Sequence, residues 1–311
     1  MQKQDDIVLN VSNLTKMIGK TTVINDVSFD LCKGEILGLL GPNGSGKTTI
    51  LKMLVGLLKP TKGSIYIEQF DIQKDFEGAI SKIGAIIETP IMYDFLSGYE
   101  NLVQLFRMTD QFSYERIDEM IDLLRMDEYI YDKVQTYSLG MKQRLGLAQA
   151  MLHRPSILLL DEPTNGLDPE GMKSLRDTLR RLADKEGVSI IISSHILSEI
   201  ELICDSVLVM NDGKCIERSQ LRDWHNSQNG KQTFQIRVID GDKLESFFKD
   251  TYIKEDIVFH SNGFSIELTL EEVARLNQLL VMEGFKVVGI ERTDNPLEQI
   301  FLQKLEERKQ R

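Results

Sequence analysis

The sequence contains only three cysteines, Cys32, Cys204 and Cys215, which are odd in number and lack the spacing of metal ligands. The first ten residues, MQKQDDIVLN, do not show the basic and then apolar pattern of a signal segment. These two absences predict a reduced protein of the cytosol.

The sequence also lacks an excess of basic residues and any apolar run long enough to cross a membrane. Its 37 lysines and arginines against 48 aspartates and glutamates give a net charge of −11, which disfavours nucleic acid as a partner. The longest apolar stretches are SILLL at 156–160 and VSIII at 188–192, whereas a membrane helix needs about 20 apolar residues. Any membrane role is therefore expected to come from a partner protein.

The chain of 311 residues is long enough for about two domains, and its first part predicts an α/β fold. Apolar runs of strand length alternate with helical patterns at 47–57, 170–185 and 196–203, which is typical of a mostly parallel sheet covered by helices. Earlier segments alternate as half-exposed antiparallel strands do, and they predict an antiparallel subdomain. Residues from about 96 to 150 predict an inserted helical lobe. We expect these parts to form one domain over residues 1–224.

A polar, turn-rich segment, DWHNSQNGKQ at 223–232, interrupts this pattern and predicts a domain boundary. The following residues read as strand, helix (242–250), strand, turn, strand, helix (270–283), strand and a last helix after Pro296. This order predicts that residues 225–311 form a small α+β domain of the ferredoxin-like, split β-α-β type.

The stretch GPNGSGKTT matches the pattern G-x-x-x-x-G-K-[ST] and lies between a predicted strand and a predicted helix. Glycines let the backbone N–H groups converge on phosphate oxygens, Lys47 can neutralise the outer phosphates, and Thr48 can bind Mg²⁺. A glycine-rich turn without a ligand is the alternative. The predicted phosphate-binding residues are Gly41, Pro42, Asn43, Gly44, Ser45, Gly46, Lys47, Thr48 and Thr49.

Two acids, Asp161 and Glu162, end the apolar strand ILLL. Burying carboxylates beside apolar residues is costly unless a cation or hydrogen bonds compensate, which a metal ion and a water would do. Asp161 could therefore hold Mg²⁺, and Glu162 could polarise an attacking water. The alternative, a solvated start of a loop, is less favoured behind a phosphate-binding loop.

Residues 7–218 resemble the ATP-binding subunit of an ABC transporter, because five motifs occur in the order of that family. GPNGSGKT resembles the Walker A motif and ILLLDE the Walker B motif, NGLDP at 165–169 resembles the D-loop, SSHILSE at 193–199 the switch-histidine segment, and YSLGMKQR at 137–144 the signature. The resemblance implies the fold of a P-loop ABC ATPase that binds ATP and Mg²⁺.

The same resemblance implies a site that two subunits share. By that resemblance, Ser138 and Gly140 contact the γ-phosphate of an ATP held in the Walker A motif of another subunit. It places His195 at the γ-phosphate, where it steadies the water and Glu162, and it gives Asp168 a role in communication across the dimer. The residues alone leave simpler alternatives open: a helix N-cap for Ser138, a helix cap for Asp168 and a surface position for His195.

Two residues depart from the family pattern in ways that bear on function. Glu88 stands in IGAIIETP where the family most often has a glutamine that contacts Mg²⁺ and links the nucleotide to the permease. Glu88, together with YENL at 99–102, is similar to the ATP-binding subunits of bacitracin resistance and lantibiotic immunity; a solvent-facing loop glutamate is the alternative.

Ile18 stands where the family usually has an aromatic that stacks on adenine, so weak base selectivity is expected. Replacements at Leu139 and Met141 of the signature are expected to be mild.

The resemblance therefore implies a cytoplasmic ATPase subunit, peripheral on the inner face of the cell membrane, that dimerises with itself or a second ATPase subunit around two Mg-ATP. It would drive a separate permease that exports an antimicrobial peptide or a similar amphiphile, with the helical lobe and the segment after Glu88 as docking surface. The alternative is a soluble ABC-type ATPase with a nucleic-acid or regulatory role. A nucleic-acid role would need a long coiled-coil arm, a second ATPase cassette or a basic surface, and the sequence shows none of these. A regulatory role without turnover is disfavoured because the candidate base Glu162 is present.

Overall fold

The computed structural model describes residues 6–109, 111–221, 232–239, 244, 247–248, 257–260 and 262–292. The chain divides into two compact units, Met1–Gln220 and Leu221–Arg311. The boundary predicted between residues 224 and 225 lies outside the described residues. No helix within the described part is long and apolar enough to cross a membrane.

The first unit alternates strands and helices. In chain order its elements are β1 (Ile7–Ile18), β2 (Thr21–Cys32), β3 (Ile36–Leu40), α1 (Lys47–Leu54), β4 (Lys62–Ile67), β5 (Phe70–Asp71), α2 (Phe76–Ile80), β6 (Ile83–Ile86), α3 (Gly98–Phe106), α4 (Tyr114–Leu124), a 3₁₀ turn (Val134–Thr136), α5 (Leu139–Met151), β7 (Ile157–Asp161), α6 (Pro169–Glu186), β8 (Ser189–Ser194), α7 (Leu197–Ile203), β9 (Ser206–Asn211) and β10 (Lys214–Gln220).

The larger sheet of this unit has six strands in the order β10-β9-β3-β8-β7-β6. Neighbouring strands are parallel except β10, which is antiparallel to β9. β3, β7 and β8 are buried along their whole length, as expected for strands covered on both faces. Because β8 lies between β3 and β7, the segments that follow these three strands meet at one edge of the sheet.

The smaller sheet is antiparallel, with the strand order β2-β1-β4-β5. Its inward side chains share one hydrophobic core with α1 and the larger sheet, which includes Leu9, Val27, Ile65, Leu51 and Leu39. The antiparallel subdomain and the helix after the phosphate-binding loop are thus fixed to the same core.

Helix α1 ends at Leu54 rather than at residue 57, so the predicted end of this helix was wrong. Gly56, two residues after Leu54, has a φ of 74°, and a left-handed glycine at this position terminates helices. The apolar pattern continues through Leu57 and Leu58, which is why periodicity alone placed the end too late.

Helices α3, α4 and α5 form the helical lobe that the sequence predicts at about 96–150. α3 begins with a capping box, in which Ser97 and Glu100 satisfy each other's backbone N–H groups. Ser113 caps α4, and Ser138 caps α5. Helices α3, α4 and α5 therefore each begin after a serine whose hydroxyl group caps the backbone.

The second unit has a four-stranded antiparallel sheet in the order β12-β13-β11-β14. Its described elements are β11 (Gln232–Ile239), β12 (Ile257–His260), β13 (Gly263–Leu268), α8 (Leu270–Met282) and β14 (Lys286–Arg292). This strand order is that of the split β-α-β arrangement.

The core of the second unit is made by the inward residues of the sheet and one face of α8. It contains Phe264, Ile236 and Leu280, and it also contains Leu244 and Phe248 from the segment 242–250 predicted as a helix. The other residues of that segment except Phe247, and the whole helix predicted after Pro296, lie outside the described residues.

Candidate active site

The loop after β3 has a backbone that requires glycine. Gly44 and Gly46 have φ angles of 82° and 104°, in the left-handed region. A Cβ atom at Gly41 would overlap the carbonyl oxygen of Met210, and a Cβ atom at Gly46 would overlap the side chain of Ile24. These glycines therefore allow both the tight turn before α1 and the close approach of neighbouring elements.

The start of α1 is suited to an anion. Gly46 is its N-cap, no side chain in the described residues caps the helix, and its first turn contains no acidic residue. The free N–H groups need an acceptor, which a phosphate supplies. Ser45 adds a buried hydroxyl group that has no hydrogen-bond partner within the described part of the chain. The preceding residues Pro42, Asn43 and Gly44 are exposed, so a phosphate can approach the loop.

Lys47 is the first residue of α1, and only 5% of its side chain is exposed. Its Nζ donates to the carbonyl oxygens of Gly41 at 2.8 Å and of Pro42 at 3.3 Å. The same Nζ lies 3.5 Å from Oε1 of Glu162. The ammonium group therefore lies between the loop and the end of β7.

Asp161 and Glu162 are held by the neighbouring strand. Asp161 ends β7 and lies in register with Ser193 of β8, whose hydroxyl donates to Asp161 Oδ1 at 2.6 Å. The backbone N–H of Glu162 donates to the same hydroxyl at 2.8 Å. One serine thus fixes both predicted acids, and Glu162 has a φ of 48° where the chain turns away from the strand.

The carboxylate of Glu162 meets the predicted switch histidine. Nδ1 of His195 lies 2.6 Å from Oε2 of Glu162, and Asn165 Nδ2 donates to the same oxygen at 2.9 Å. With Lys47 beside the other oxygen, the carboxylate has partners on both sides. The structure therefore brings together Lys47, Asp161, Glu162 and His195.

Thr48 and Asp161 provide the kind of donors that Mg²⁺ prefers. Thr48 lies in the first turn of α1 and is partly buried, and Asp161 is only 8% exposed. No group of three or more His, Cys, Asp or Glu side chains with metal-binding geometry occurs among the described residues. Mg²⁺ sites in nucleotide-binding proteins use one or two protein oxygens and complete the shell with phosphates and waters, so these residues fit the ion.

Ser138 and Gly140 lie at the start of α5, on an open cleft of about 770 Å³. The hydroxyl of Ser138 accepts a hydrogen bond from the backbone N–H of Met141 at 3.3 Å, so its role as a helix N-cap is present. A Cβ at Gly140 would meet only Leu167, at 3.8 Å, among the described residues, so packing does not require this glycine.

Asp168 lies in the same cleft and is the N-cap of α6, where its Oδ1 accepts from the N–H of Gly171 at 2.8 Å. None of the residues 41–49 lines this cleft within the described part of the chain. The start of α5 and the described residues of the phosphate-binding loop therefore do not line a common cleft.

Glu88 follows β6 and has a φ of 68°. Its Oε1 accepts a hydrogen bond from Lys52 Nζ of α1 at 2.8 Å. This hydrogen bond and the charge of the lysine lower the pKa of Glu88 below its ordinary value and raise the pKa of Lys52. Together with Asp161, Glu162 and Gln143, Glu88 lines a second cavity of about 250 Å³. The residue therefore lies beside the candidate site, with its charge paired.

Ile18 is the last residue of β1, and 54% of its surface is exposed. Its neighbour Met17 is also exposed, at 43%. The end of this strand therefore offers apolar aliphatic surface at the position where the resemblance would place an aromatic ring.

Three contacts of the site were not predicted from the sequence: Lys52 on Glu88, Ser193 on both acids, and Asn165 on Glu162. A signal for Ser193 was present, because two serines end an otherwise apolar buried strand. The partner of Glu88 carries no such signal, since the two residues are 36 positions apart in the chain.

The fold and the site define a P-loop nucleoside triphosphatase. A glycine-rich loop and a lysine follow one strand, a pair of acids follows a second, and a histidine follows the strand between them. The inserted helical lobe distinguishes this chain from a plain nucleotide-binding α/β domain.

Residues 24–165 match the ABC transporter family. The chain is 43% identical over 303 residues to the uncharacterized ABC transporter ATP-binding protein YhcH of Bacillus subtilis, covering 97% of each chain. It is 36% identical to the bacitracin transport ATP-binding protein BcrA of Enterococcus faecalis, covering 95% of this chain and 96% of the relative. It is 38% identical to the lantibiotic transport ATP-binding protein SrtF of Streptococcus pyogenes, covering 75% of this chain and 98% of the relative.

Solved structures show the same fold. An ATP-binding subunit of an ABC transporter matches with a TM-score of 0.63 and 29% identity, over 71% of this chain and 93% of that one. The ATP-binding cassette MJ0796, a dimer bound to ADP and Pi, matches with a TM-score of 0.61 and 25% identity, over 69% and 99%.

The chain therefore belongs to the ATP-binding subunits of ABC transporters, and it is an ABC-type ATPase. The predicted family, enzyme class and P-loop ABC ATPase fold are confirmed.

Proposed function

We propose that this chain dimerises around two Mg-ATP and powers a separate membrane permease that exports an antimicrobial peptide or a similar amphiphile. The observation that supports the dimer is that Ser138 and Gly140 line an open cleft to which the phosphate-binding loop of the same chain contributes no described residue. Ser138 and Gly140 at the start of α5 can bind a phosphate that comes from another molecule. In the dimer, this phosphate belongs to the ATP that the second copy holds in its phosphate-binding loop.

Within one chain, the residues Gly41 to Thr49 hold the triphosphate. The glycines let the backbone N–H groups point at the phosphates, Ser45 offers a hydroxyl that has no partner among the described residues, and Lys47 neutralises charge. Thr48 and Asp161 would hold Mg²⁺, which supplies charge neutralisation on the phosphate oxygens when it is bound.

Glu162 accepts a proton from the attacking water as the general base. Its carboxylate is fixed by His195 and Asn165 on one oxygen and by Lys47 near the other, so its position is defined. A positioned carboxylate base contributes about 10² to 10⁴ in rate. His195 orients Glu162 and, in this proposal, also contacts the γ-phosphate. Asp168, beside the start of α5, communicates between the two sites of the dimer.

The transport role is supported by the names of two relatives and by an exposed apolar segment. BcrA is named for bacitracin transport and SrtF for lantibiotic transport, and this chain matches them over 95% and 75% of its length. After Glu88, the side chains of Ile91, Tyr93 and Phe95 are 90%, 56% and 67% exposed. Such a surface next to the helical lobe suits contact with a permease, and it would hold the protein at the inner face of the membrane.

Glu162→Gln in the full-length chain tests the ATPase part of the proposal. The variant keeps Lys47 and the phosphate-binding loop but loses the proton acceptor, so we expect ATP binding to persist while turnover falls by about 10² to 10⁴. Light scattering with Mg-ATP is expected to show an accumulated dimer. The matched control is Glu186→Gln, at the exposed end of α6. Hydrolysis by Glu162→Gln at the parent rate would show that Glu162 is not the base.

Purification from the native membrane in mild detergent tests the transport part. We expect a permease to copurify with the chain and bacitracin or a lantibiotic to stimulate hydrolysis by that complex. A complex that copurifies with no membrane protein would contradict the proposal.

A further inference from the structure

Glu199, in the first turn of α7, joins the two segments that carry the predicted reacting groups. Its Oε2 accepts a hydrogen bond from Thr164 Oγ1 at 2.6 Å and one from Ser194 Oγ at 2.9 Å. Thr164 is 5% exposed and Ser194 is 2% exposed, so both residues are buried and their hydroxyl groups need an acceptor within the protein, which Glu199 supplies to both.

The two donors flank the candidate base and its histidine. Thr164 comes two residues after Glu162, and Ser194 comes immediately before His195. The two segments are also joined by the contact of Glu162 with His195 at 2.6 Å and by the hydroxyl of Ser193, which binds Asp161 and the N–H of Glu162. Glu199 adds the link through Thr164, on the other side of Glu162 in the chain.

The hydroxyl of Ser194 is fully used in this arrangement. It donates to Glu199 at 2.9 Å and accepts from the backbone N–H of Ile196 at 2.9 Å. A second acceptor, the carbonyl of Ile196, lies farther away at 3.3 Å. Because a hydroxyl has one proton and a carboxylate is the stronger acceptor, the bond to Glu199 is favoured.

We propose that Glu199 is a positioning residue for ATP hydrolysis, which holds Thr164 and Ser194 so that Glu162 and His195 keep their mutual geometry. The inference rests on the proposed roles of Glu162 and His195. Glu199 makes no hydrogen bond or ion pair with the phosphate-binding loop among the described contacts. Ser194 does contact that loop, but through its backbone carbonyl, which accepts from the N–H of Gly41 at 3.3 Å as part of the pairing of β3 with β8. We therefore expect the loss of Glu199 to affect turnover and to leave ATP binding in place.

The test compares kcat and KM for Mg-ATP in the full-length chain. Thr164→Val removes one hydroxyl at almost constant volume, and Glu199→Ala removes the shared acceptor. A base misplaced by a small distance can lose about 10- to 100-fold in rate, so we expect kcat to fall by this factor in both variants while KM stays within about twofold. The double variant of Thr164→Val and Glu199→Ala is expected to be no slower than Glu199→Ala alone, because both substitutions remove the same hydrogen bond between Thr164 and Glu199.

Conservative variants separate positioning from a general loss of stability. Thr164→Ser keeps the hydroxyl, and Glu199→Gln keeps an oxygen that can accept both hydrogen bonds, so we expect both to retain kcat within about threefold. Glu186→Gln is the control for removal of an exposed carboxylate. Melting temperatures and titration of active sites are measured on every variant. If Glu199→Ala does not fold, Thr164→Val and Thr164→Ser carry the comparison.

The outcomes distinguish this inference from the proposed function. If Thr164→Val and Glu199→Ala keep the parent kcat per active site while Glu162→Gln is inactive, Glu199 has no positioning role and the proposed function stands. Equal loss in kcat and in ATP binding would likewise overturn the positioning role. If Glu162→Gln hydrolyses at the parent rate, the proposed role of the base fails first.

Discussion

The negative charge of Glu88, beside the candidate nucleotide site, is paired with Lys52. Lys52 Nζ lies 2.8 Å from its Oε1, and the pair lowers the pKa of Glu88 and raises the pKa of Lys52. Two-thirds of the Glu88 side chain is exposed, so the pair contributes little to folding stability. Its significance is geometric, because it ties the loop after β6 to α1, the helix that begins at the phosphate-binding loop.

We predict that Glu88→Gln changes coupling to the permease and leaves basal hydrolysis within about twofold of the parent. Glutamine still accepts a hydrogen bond but no longer pairs with the charge of Lys52. Lys52→Gln is expected to give the same result, and the double variant is expected to be no more affected than either single variant. Basal and permease-stimulated hydrolysis are measured on the purified complex.

The control for this series is Lys74→Gln, which breaks an ion pair between the exposed Lys74 and the partly buried Asp71 elsewhere in the unit. Unchanged stimulation in Glu88→Gln, together with an unchanged tolerance of cells to bacitracin, would remove the case for a coupling role. Additive effects of Lys52→Gln and Glu88→Gln would show that the two residues act separately.

Among single residues, those that lie in a local sequence motif could be located from the sequence. Lys47, Asp161 and Glu162 are examples, because each lies at a fixed position in a loop or at the end of a strand. The contacts of Ser193 with both acids could not be predicted, since they depend on the pairing of β7 with β8, in which Asp161 lies opposite Ser193. The pair of Lys52 and Glu88 likewise depends on tertiary packing.

Helix α5 is fixed at both ends. At its start, Ser138 caps the backbone and faces the cleft. At its other end, the buried Arg116 of α4 donates to the carbonyl oxygens of Met151 at 2.7 Å and of Leu152 at 3.3 Å. A guanidinium group satisfies the free carbonyls and the negative end of the helix dipole. Contacts at both ends of the helix therefore fix the position of Ser138 and Gly140.

We predict that Ser138→Arg prevents the ATP-dependent dimer and leaves ATP binding to the single chain. The large cation replaces a hydroxyl at the proposed contact with the partner's ATP, in a cleft to which the phosphate-binding loop contributes no described residue. Loss of the cap itself costs about 1 kcal/mol, too little to unfold a domain. Sedimentation with Mg-ATP and binding of a fluorescent ATP analogue measure the two properties, in the Glu162→Gln background.

Ser113→Arg is the matched control, because Ser113 caps α4 in the same way and does not line the cleft. It loses the same type of hydrogen bond and gains the same charge. A dimer that persists in Ser138→Arg, or that is lost in both variants, would contradict the proposed role of the α5 start.

Elements were predicted well where periodicity and a local stop signal agree. The predicted strands β3, β7, β8 and β9 each contain a continuous apolar run, and α6 begins at Pro169 after its N-cap Asp168. The edge strands β6 and β10 of the same sheet were not predicted, and β10 is largely polar. α1 was predicted too long because its apolar pattern runs past Gly56. The alternation of strands and helices predicts that the sheet is mostly parallel. It does not determine the order of the strands in the sheet, which depends on tertiary packing.

At the scale of the whole molecule, the two units have separate cores. The core cluster of the first unit includes residues from Val8 to Met210, and that of the second unit includes residues from Phe234 to Leu280. All the predicted site residues lie in the first unit. A unit with its own core is able to fold alone.

We predict that a chain ending at residue 224 folds and binds ATP with a Kd within about twofold of the parent. The reason is that this chain keeps every element of the first unit and its whole described core. Thermal unfolding followed by circular dichroism and binding of a fluorescent ATP analogue are the measurements. A truncated chain that is recovered only as unfolded material would show that the domain boundary is wrong.

The strand that carries the phosphate-binding loop has both of its neighbours late in the chain. β3 pairs with β8 and β9, and the N–H of Gly34 donates to the hydroxyl of Ser189, 155 residues further on. During synthesis, β1, β2 and β4 can pair as soon as they leave the ribosome, whereas the fully apolar β3 must wait until about two-thirds of the protein has been made. The nascent chain therefore carries an unpaired apolar strand for about half of its elongation, and this is the stage at which chaperones would protect it.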